Sequence, residues 1–97
     1  MARVPSEAAR IIGQRIRDRR TDQQLTQDRL GELAQIDPAN VRAYESGRQT
    51  ISLRSLTRIA FALDTTPGAL IKEIHPDMFT PTSVAVELES ATKPSTR

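Results

Sequence analysis

The sequence contains no cysteine and no tryptophan, and aromatic residues make up only 3% of its 97 residues. The lack of cysteine excludes a disulfide framework, a thiolate metal site and a cysteine nucleophile. No apolar run approaches the roughly 18 residues of a membrane span, and the N-terminus has an acid and two arginines where a signal peptide needs an apolar stretch. We therefore expect a cytoplasmic chain whose single small core of Leu, Ile, Val and Ala suits short packed helices.

The usual sequence features of an enzyme are also missing. The four glycines are scattered instead of forming a phosphate-binding loop, and neither a nucleophile with its base nor a pair of carboxylates in a cleft is recognisable. The only histidine, His75, has no second imidazole and no thiolate with which to complete a metal site. We predict that the protein is not an enzyme and that it holds neither a metal nor a cofactor.

Positive charge is concentrated in the first two thirds of the chain. Residues 1–63 contain eleven arginines against seven acidic residues, a net charge of +4, whereas residues 64–97 contain three basic and five acidic residues, a net charge of −2. Every cation of the first part is an arginine, whose rigid fork suits phosphate and guanine. A solvated charged face would show the same balance, so the charge alone does not identify a partner.

The spacing of apolar residues predicts an all-α chain, with five helices and no strand in the first 75 residues. Thr26 and Asp37 are suitable N-caps for the second and third helices. Pro38 stands at the first helical position, where a missing N–H costs nothing, and Gly47 ends the third helix. The apolar stripes include Leu30 and Leu33 in the second helix and Leu53 and Leu56 in the fourth. The predicted helices span about 6–20, 27–34, 38–46, 52–63 and 66–74.

The third predicted helix has an outer face of unusually short side chains. Val41 and Tyr44 point inward and close the core, whereas the outward positions are Ala39, Asn40, Arg42 and Ala43. Short side chains allow a helix to enter a groove about 12 Å wide, where Asn can pair with adenine, Arg with guanine and Ala with a thymine methyl group. We expect this helix to lie in the major groove of DNA instead of forming an ordinary surface of a helical bundle.

From Ile12 to Leu70 the chain resembles the Cro/repressor-like helix-turn-helix family of bacterial and phage transcription regulators, also called the xenobiotic-response-element family. The resemblance implies a five-helix domain over residues 6–74, between an N-terminal arm at 1–5 and a C-terminal extension at 75–97. It also implies a homodimer that reads a roughly two-fold symmetric operator in double-stranded DNA. The matching positions are Ile12-Gly13, Ile16, Arg20, Leu25-Thr26-Gln27, Leu30, Ala34, Ile36, Val41, Glu45, Gly47, Leu53, Leu56, Ile59-Ala60, Leu63 and Leu70.

The family pattern implies a role for each matched site residue. Gln27, at the start of the second helix, holds a DNA phosphate, and Arg48 and Gln49 contact the DNA backbone from the following loop. Arg20 and Glu45 match a largely buried salt bridge that links the first helix to the recognition helix. Base preference is expected to come mainly from the polar members of the groove-facing set. That set is Pro38, Ala39, Asn40, Arg42 and Ala43.

Three departures from the family pattern predict a marginally stable monomer. Gln24 and Gln35 stand where Gly is usual, at positions that need a left-handed backbone, which costs roughly 1 kcal/mol each. Gly31 replaces an Ala inside the second helix, at a cost of about 1 kcal/mol, while it allows the second and third helices to approach closely. We therefore expect a homodimer that forms through the fifth helix, with the tail as a second candidate for the contact.

The branch of the family and the state of the tail stay open at this point. The run from Glu45 to Leu53 resembles controller proteins of restriction-modification systems. The alternatives are another single-domain regulator and an antitoxin-type or other protein-binding helix-turn-helix domain. A regulator of this kind blocks or recruits RNA polymerase at a promoter. Residues 84–88 alternate as a strand would and are either disordered or packed on a partner subunit, whereas the composition of residues 89–97 is typical of disorder.

Overall fold

The structure is a computed structural model that describes residues 6–80. Within this range the chain forms five α-helices and a final 3-10 turn, with no strand, which confirms the all-α prediction. None of these helices is long and apolar enough to cross a membrane. The predictions for the arm at 1–5 and for the tail from residue 81 lie outside the described residues. The elements are α1 (Glu7–Asp22), α2 (Gln27–Ala34), α3 (Pro38–Ser46), α4 (Leu53–Ala62), α5 (Pro67–Leu70) and the 3-10 turn (Pro76–Phe79).

Side-chain caps fix where the helices begin. In each α-helix the N-cap oxygen accepts a hydrogen bond from a backbone N–H two or three residues later, which satisfies a donor that the helix cannot pair internally. These contacts confirm the predicted caps Thr26 and Asp37. In the first turn of α1, the hydrogen bond from Arg10 also lowers the pKa of the Glu7 carboxyl. The five caps are Ser6, Thr26, Asp37, Ser52 and Thr66.

Gln24 and Gln35 adopt the left-handed backbone predicted for them. Both have a φ of 60°, and both lie in the turns that follow α1 and α2. The turn at Gln35 is closed by a hydrogen bond of 2.9 Å from the backbone N–H of Ile36 to the carbonyl of Gly31. Two glutamines therefore occupy positions where the backbone geometry favours Gly.

The fifth helix is shorter than its apolar pattern predicts. It ends at Leu70 instead of residue 74, although Ile71 and Ile74 continue the apolar spacing. The guanidinium Nη1 of Arg15 donates to the carbonyl oxygens of Leu70 at 3.1 Å and Lys72 at 2.7 Å, so these carbonyls are satisfied by a side chain from α1. Glu73 then takes a left-handed φ of 63°, which a continuing helix does not allow.

One hydrophobic core joins all five helices. Two leucines that we expected in it are exposed, Leu33 at 43% and Leu53 at 74%. Leu33 is exposed because the buried face of α2 is formed by Leu30, Gly31 and Ala34, and Leu33 lies outside that face, in a groove beside α4. Leu53 is the first residue of α4 and precedes the stripe that packs inward. The core residues are Ile12, Ile16, Leu30, Ala34, Ile36, Val41, Tyr44, Leu56, Ile59, Ala60, Leu63 and Leu70.

Two glycines allow α3 to pack closely on both of its neighbours. A Cβ atom on Gly31 would lie 2.6 Å from the carbonyl oxygen of Ile36 and 3.3 Å from Cγ of Pro38. A Cβ atom on Gly13 of α1 would collide with the carbonyl oxygen of Tyr44 in α3. The predicted close approach of α2 to α3 is therefore confirmed, and α1 approaches the other flank of α3 in the same way.

Candidate nucleic-acid interface

Because α1 and α2 both pack on α3, only a narrow strip of this helix is exposed. The buried residues of α3 are Val41, Ala43, Tyr44 and Glu45, and Ala43 is only 3% exposed. The prediction that Ala43 faces outward is therefore wrong. We define the α3 strip as the exposed residues of this helix. They are Ala39, Asn40, Arg42 and Ser46, and Pro38 beside them is half-buried.

Ser46 is a member of the α3 strip that sequence reasoning missed. Residues 39, 42 and 46 have the i, i+3, i+7 spacing of one helix face, so the signal was present in the sequence. The Ser46 hydroxyl donates to the carbonyl oxygen of Ala43 at 3.1 Å and therefore stays close to its own helix. Arg42 has the longest side chain of the strip.

A buried carboxylate connects α1, α2 and α3 behind the strip. The Glu45 side chain is fully buried, and it accepts hydrogen bonds from Arg20 Nε at 2.6 Å and from Arg20 Nη2 at 2.9 Å. Arg20 Nη1 also donates to the carbonyl oxygen of Leu25 at 2.7 Å, in the turn before α2. This bidentate arrangement is the strong form of an Arg–carboxylate pair. It ties the end of α1 to the last turn of α3.

Glu45 also holds Gln27, the first residue of α2. Gln27 Nε2 donates to Glu45 Oε1 at 3.0 Å, and Arg17 Nε lies 3.7 Å from the same oxygen. Gln27 is half-buried and Arg17 is exposed. The side chain expected to hold a phosphate is therefore oriented from behind by the carboxylate that anchors α3. Arg17 is a second cation at this point, and no feature of its sequence spacing distinguished it from the other arginines of α1.

The remaining predicted site residues lie on exposed surface. Arg48 and Gln49 follow Gly47, which has a φ of 80° and ends α3, and the backbone N–H of Arg48 donates to the carbonyl oxygen of Ala43 at 3.0 Å. Arg42 Nη1 lies 3.8 Å from Oδ1 of Asp28 in α2. Asp28 is an acidic neighbour of the α3 strip that the sequence did not identify.

Residues 6–80 contain no group of His, Asp and Glu that could hold a metal ion.

The charge around the α3 strip is mostly positive. Arg17, Arg42 and Arg48 are exposed, while Glu45 is paired with Arg20 and buried. A polyanion that approached this face would meet guanidinium and amide groups, together with the exposed carboxylates of Asp28 and of Asp37, the N-cap of α3. Such a surface can hold phosphates on both sides of a helix that is narrow enough for a groove.

Comparisons with known proteins agree with this arrangement. A family model described as a helix-turn-helix domain matches residues 11–74. The restriction-modification controller protein C.AhdI from Aeromonas hydrophila has 35% sequence identity and a TM-score of 0.62, over 64% of this chain and 94% of that protein. A search of curated proteins finds no match.

Two further solved structures have the same fold. The P22 c2 repressor, in complex with a synthetic operator, has 26% identity and a TM-score of 0.61, over 64% of this chain and 94% of that one. The N-terminal DNA-binding domain of SinR from Bacillus subtilis has 28% identity and a TM-score of 0.63, over 68% of this chain and 97% of that one. The chain therefore belongs to the helix-turn-helix domain family, and it has the Cro/repressor-like form of that fold.

Proposed function

We propose that this protein is a sequence-specific regulator of transcription that binds double-stranded DNA as a homodimer on a roughly palindromic operator. The observation that carries this proposal is the α3 strip, which presents short side chains with one Asn and one Arg between exposed cations. The solved structures of the P22 c2 repressor with an operator and of SinR with DNA support it, because both proteins share this fold.

In this proposal the α3 strip contacts the DNA bases, and the residues around the strip contact the DNA backbone. Asn40 and Arg42 supply the hydrogen bonds to base edges, and the small Pro38 and Ala39 allow the helix to approach the groove floor. The side chains that contact phosphates are Gln27, Arg48 and Gln49, with Arg17 added on the basis of its position beside Gln27. Ala43 has no part in reading, because it is buried.

The dimer is proposed to form around α5. Ile71 directly follows this helix and Phe79 ends the 3-10 turn, and both apolar side chains are exposed. A symmetric pair would place two recognition helices about 34 Å apart, one turn of DNA, in successive major grooves. Such a pair at a promoter would block or recruit RNA polymerase.

Among the branches of the family, the controller proteins of restriction-modification systems are favoured by the similarity to C.AhdI. The genes beside this one test that assignment. A neighbouring DNA methyltransferase and endonuclease would support it, whereas a small toxin gene would favour an antitoxin that represses its own operon.

A protein-binding helix-turn-helix domain is the second candidate. The observation in its favour is a groove of about 290 Å³ between α2 and α4, beside which Phe61 is 85% exposed. A domain that had exchanged DNA for a protein partner would have no use for the exposed arginines around the α3 strip. The groove is lined by Leu33, Ala34, Gln35, Arg58 and Phe61.

Selection from a random pool of double-stranded DNA tests the proposal directly. We expect the full-length protein to enrich a sequence with two related half-sites and then to give a saturable gel shift on it at moderate salt. Scrambled DNA of the same composition is the control. Equal retention of both DNAs would contradict sequence-specific binding, and no retention of either would favour the protein-binding candidate.

A further inference from the structure

An ion pair joins the α3 strip to the first turn of α2. Arg42 Nη1 lies 3.8 Å from Oδ1 of Asp28, and both side chains are more than half exposed, at 52% and 79%. Asp28 directly follows Gln27, so the carboxylate belongs to the same turn of α2 as a proposed phosphate contact. An arginine that is proposed to read DNA thus lies, in the free protein, beside an acidic residue of the neighbouring helix.

The position of Asp28 is electrostatically unfavourable for a surface that only has to attract DNA. A carboxylate beside the phosphate backbone opposes binding to every sequence alike. An acidic residue in the first turn stabilises a helix through the helix dipole, and this accounts for an Asp at the start of α2. The helix dipole does not explain why Asp28 of α2 lies beside Arg42 of α3, because the dipole acts on Asp28 whether or not Arg42 is near.

Arg42 has two kinds of acceptor within reach of its long side chain. A free guanidinium can turn to a phosphate, which carries no sequence information, or to the edge of a guanine, which does. An arginine side chain loses considerable rotamer freedom when it is fixed, so an arginine without a neighbour distributes itself over both kinds of contact. A carboxylate on one side of the guanidinium limits that choice.

We infer that Asp28 is a positioning residue that determines the specificity of DNA binding by keeping the Arg42 guanidinium beside the first turn of α2 and competing with phosphates for it. The inference rests on the proposed function, in which Arg42 reads a base. Asp28 lowers affinity for all DNA through its charge. It lowers affinity for unrelated DNA further, because it removes the phosphate contact that Arg42 would otherwise make there.

The variant Asp28→Asn tests this inference, because it keeps the size of the side chain and removes its charge. We expect tighter binding to scrambled DNA and a ratio of specific to non-specific affinity that falls about two- to fivefold, the range measured for exposed ion pairs. The base preference should weaken at the operator position that Arg42 reads and stay unchanged elsewhere. The variant Asp28→Glu keeps a carboxylate at this position, and it should therefore retain most of the base preference that Asp28→Asn loses.

The double variant separates positioning from a general effect of charge. In an Arg42→Ala background, Asp28→Asn still removes a negative charge but has no guanidinium to release. We expect it to tighten binding to both DNAs equally there, with no change in their ratio. Glu32→Gln removes the same charge from another exposed residue of α2, whose partner is Arg29, and it should leave the base preference unchanged. Thermal melting of each variant excludes a loss of folded protein as the cause.

The outcomes distinguish this inference from the proposed function. If the unaltered protein selects no sequence, the proposed function fails and the inference fails with it. If the unaltered protein is specific and Arg42→Ala weakens one base position, an identical effect of Asp28→Asn in both backgrounds overturns only the inference. A base preference that Asp28→Asn leaves intact overturns it as well.

Discussion

Glu45 is the residue through which α1, α2 and α3 are connected. Its carboxylate is fully buried and accepts hydrogen bonds from Arg20 and Gln27, which belong to two different helices. A charge in this position is tolerated because the guanidinium neutralises it and the amide satisfies a remaining lone pair. The same carboxylate therefore supports the fold and orients a residue proposed to contact DNA.

Replacing Glu45 by Ala should unfold the domain. The substitution leaves the Arg20 guanidinium, only 12% exposed, without its charged partner, and breaking a buried pair in this way costs about 3–5 kcal/mol. Urea denaturation followed by circular dichroism measures the loss. Glu32→Ala is the matched control, because its exposed pair with Arg29 contributes about 0–1 kcal/mol. Equal losses for the two variants would show that the Glu45 pair is not a structural link.

Arg42 and Arg48 are both exposed arginines, and we predict different effects when each is replaced by Ala. Arg42→Ala should cost about 1–3 kcal/mol on the selected operator and relax one base position. Arg48→Ala should weaken all sequences alike and reduce the slope of binding against salt concentration by about one. Affinities measured over a salt series on operator and scrambled DNA separate the two. Identical profiles would contradict the division into base reader and phosphate contact.

At the residue scale, the sequence predicts the role of a side chain when that role depends on its own helix. It does not predict the role when that role depends on a contact with another helix. The pairing of Arg20 with Glu45 came from the family resemblance, and the structure contains it. Asp28 and Arg17 could not be identified from the sequence, because their contacts with Arg42 and Glu45 form only when α2 and α1 are folded against α3. Ala43 was misassigned because helical spacing assumes one buried face, whereas α3 is covered from two sides.

The turns after α1 and α2 are elements that can be stabilised by single substitutions. Gln24 and Gln35 each hold a φ of 60°, which Gly adopts without the steric cost of a Cβ atom. Gln24→Gly and Gln35→Gly should each raise the free energy of unfolding by roughly 1 kcal/mol. Chemical denaturation measures the change.

A third glutamine provides the control for this prediction. Gln49 lies in the loop after α3 and is not among the residues with positive φ. Gln49→Gly should therefore produce no gain, since a Gly there only increases the entropy of the unfolded chain. An equal gain at Gln49 would mean that the left-handed geometry is not the source of the effect.

The contacts of α3 with α1 and α2 leave no room for a methyl group. Gly13→Ala and Gly31→Ala should each destabilise the domain by about 1–3 kcal/mol, although Ala is normally the better helix residue, because the new Cβ meets backbone carbonyls. Gly68→Ala in α5 is the control, since its Cβ would come no closer than 4.0 Å to the side chain of Thr66. Melting temperatures compare the three. A gain at Gly13 or Gly31 would show that the helices are less closely packed than described.

At the scale of elements, local signals predicted where helices begin better than where they end. The caps are read from one residue and its near neighbours, so Thr26 and Asp37 could be assigned correctly. The end of α5 is set by Arg15, which is distant in sequence and takes up the carbonyls of Leu70 and Lys72. A pattern of apolar residues does not contain that information, and it therefore extended the helix to residue 74.

The whole molecule presents one short helix that is proposed to read bases, and its exposed strip has few polar groups. Asn40 and Arg42 are the only long or amide-bearing side chains of the α3 strip, and Ala43 is buried in the packing of α3. Two good base contacts discriminate by only a few kcal/mol, whereas a regulator must distinguish its site from a large excess of other DNA. Two copies on a symmetric site would double the number of contacts, and this requirement supports the proposed homodimer independently of its interface.

The spacing of half-sites tests the dimer as a rigid unit. Two recognition helices about 34 Å apart fit half-sites separated by about one turn of DNA. Adding about five base pairs between them moves one half-site to the opposite face of the duplex, so only one subunit can bind. We expect affinity to fall about 100-fold or more, to the level of an isolated half-site, because the second contact no longer benefits from a high effective concentration. Gel shifts on the selected operator, the lengthened operator and a single half-site measure this. Binding that does not depend on spacing would contradict a fixed homodimer and leave the subunits to act separately.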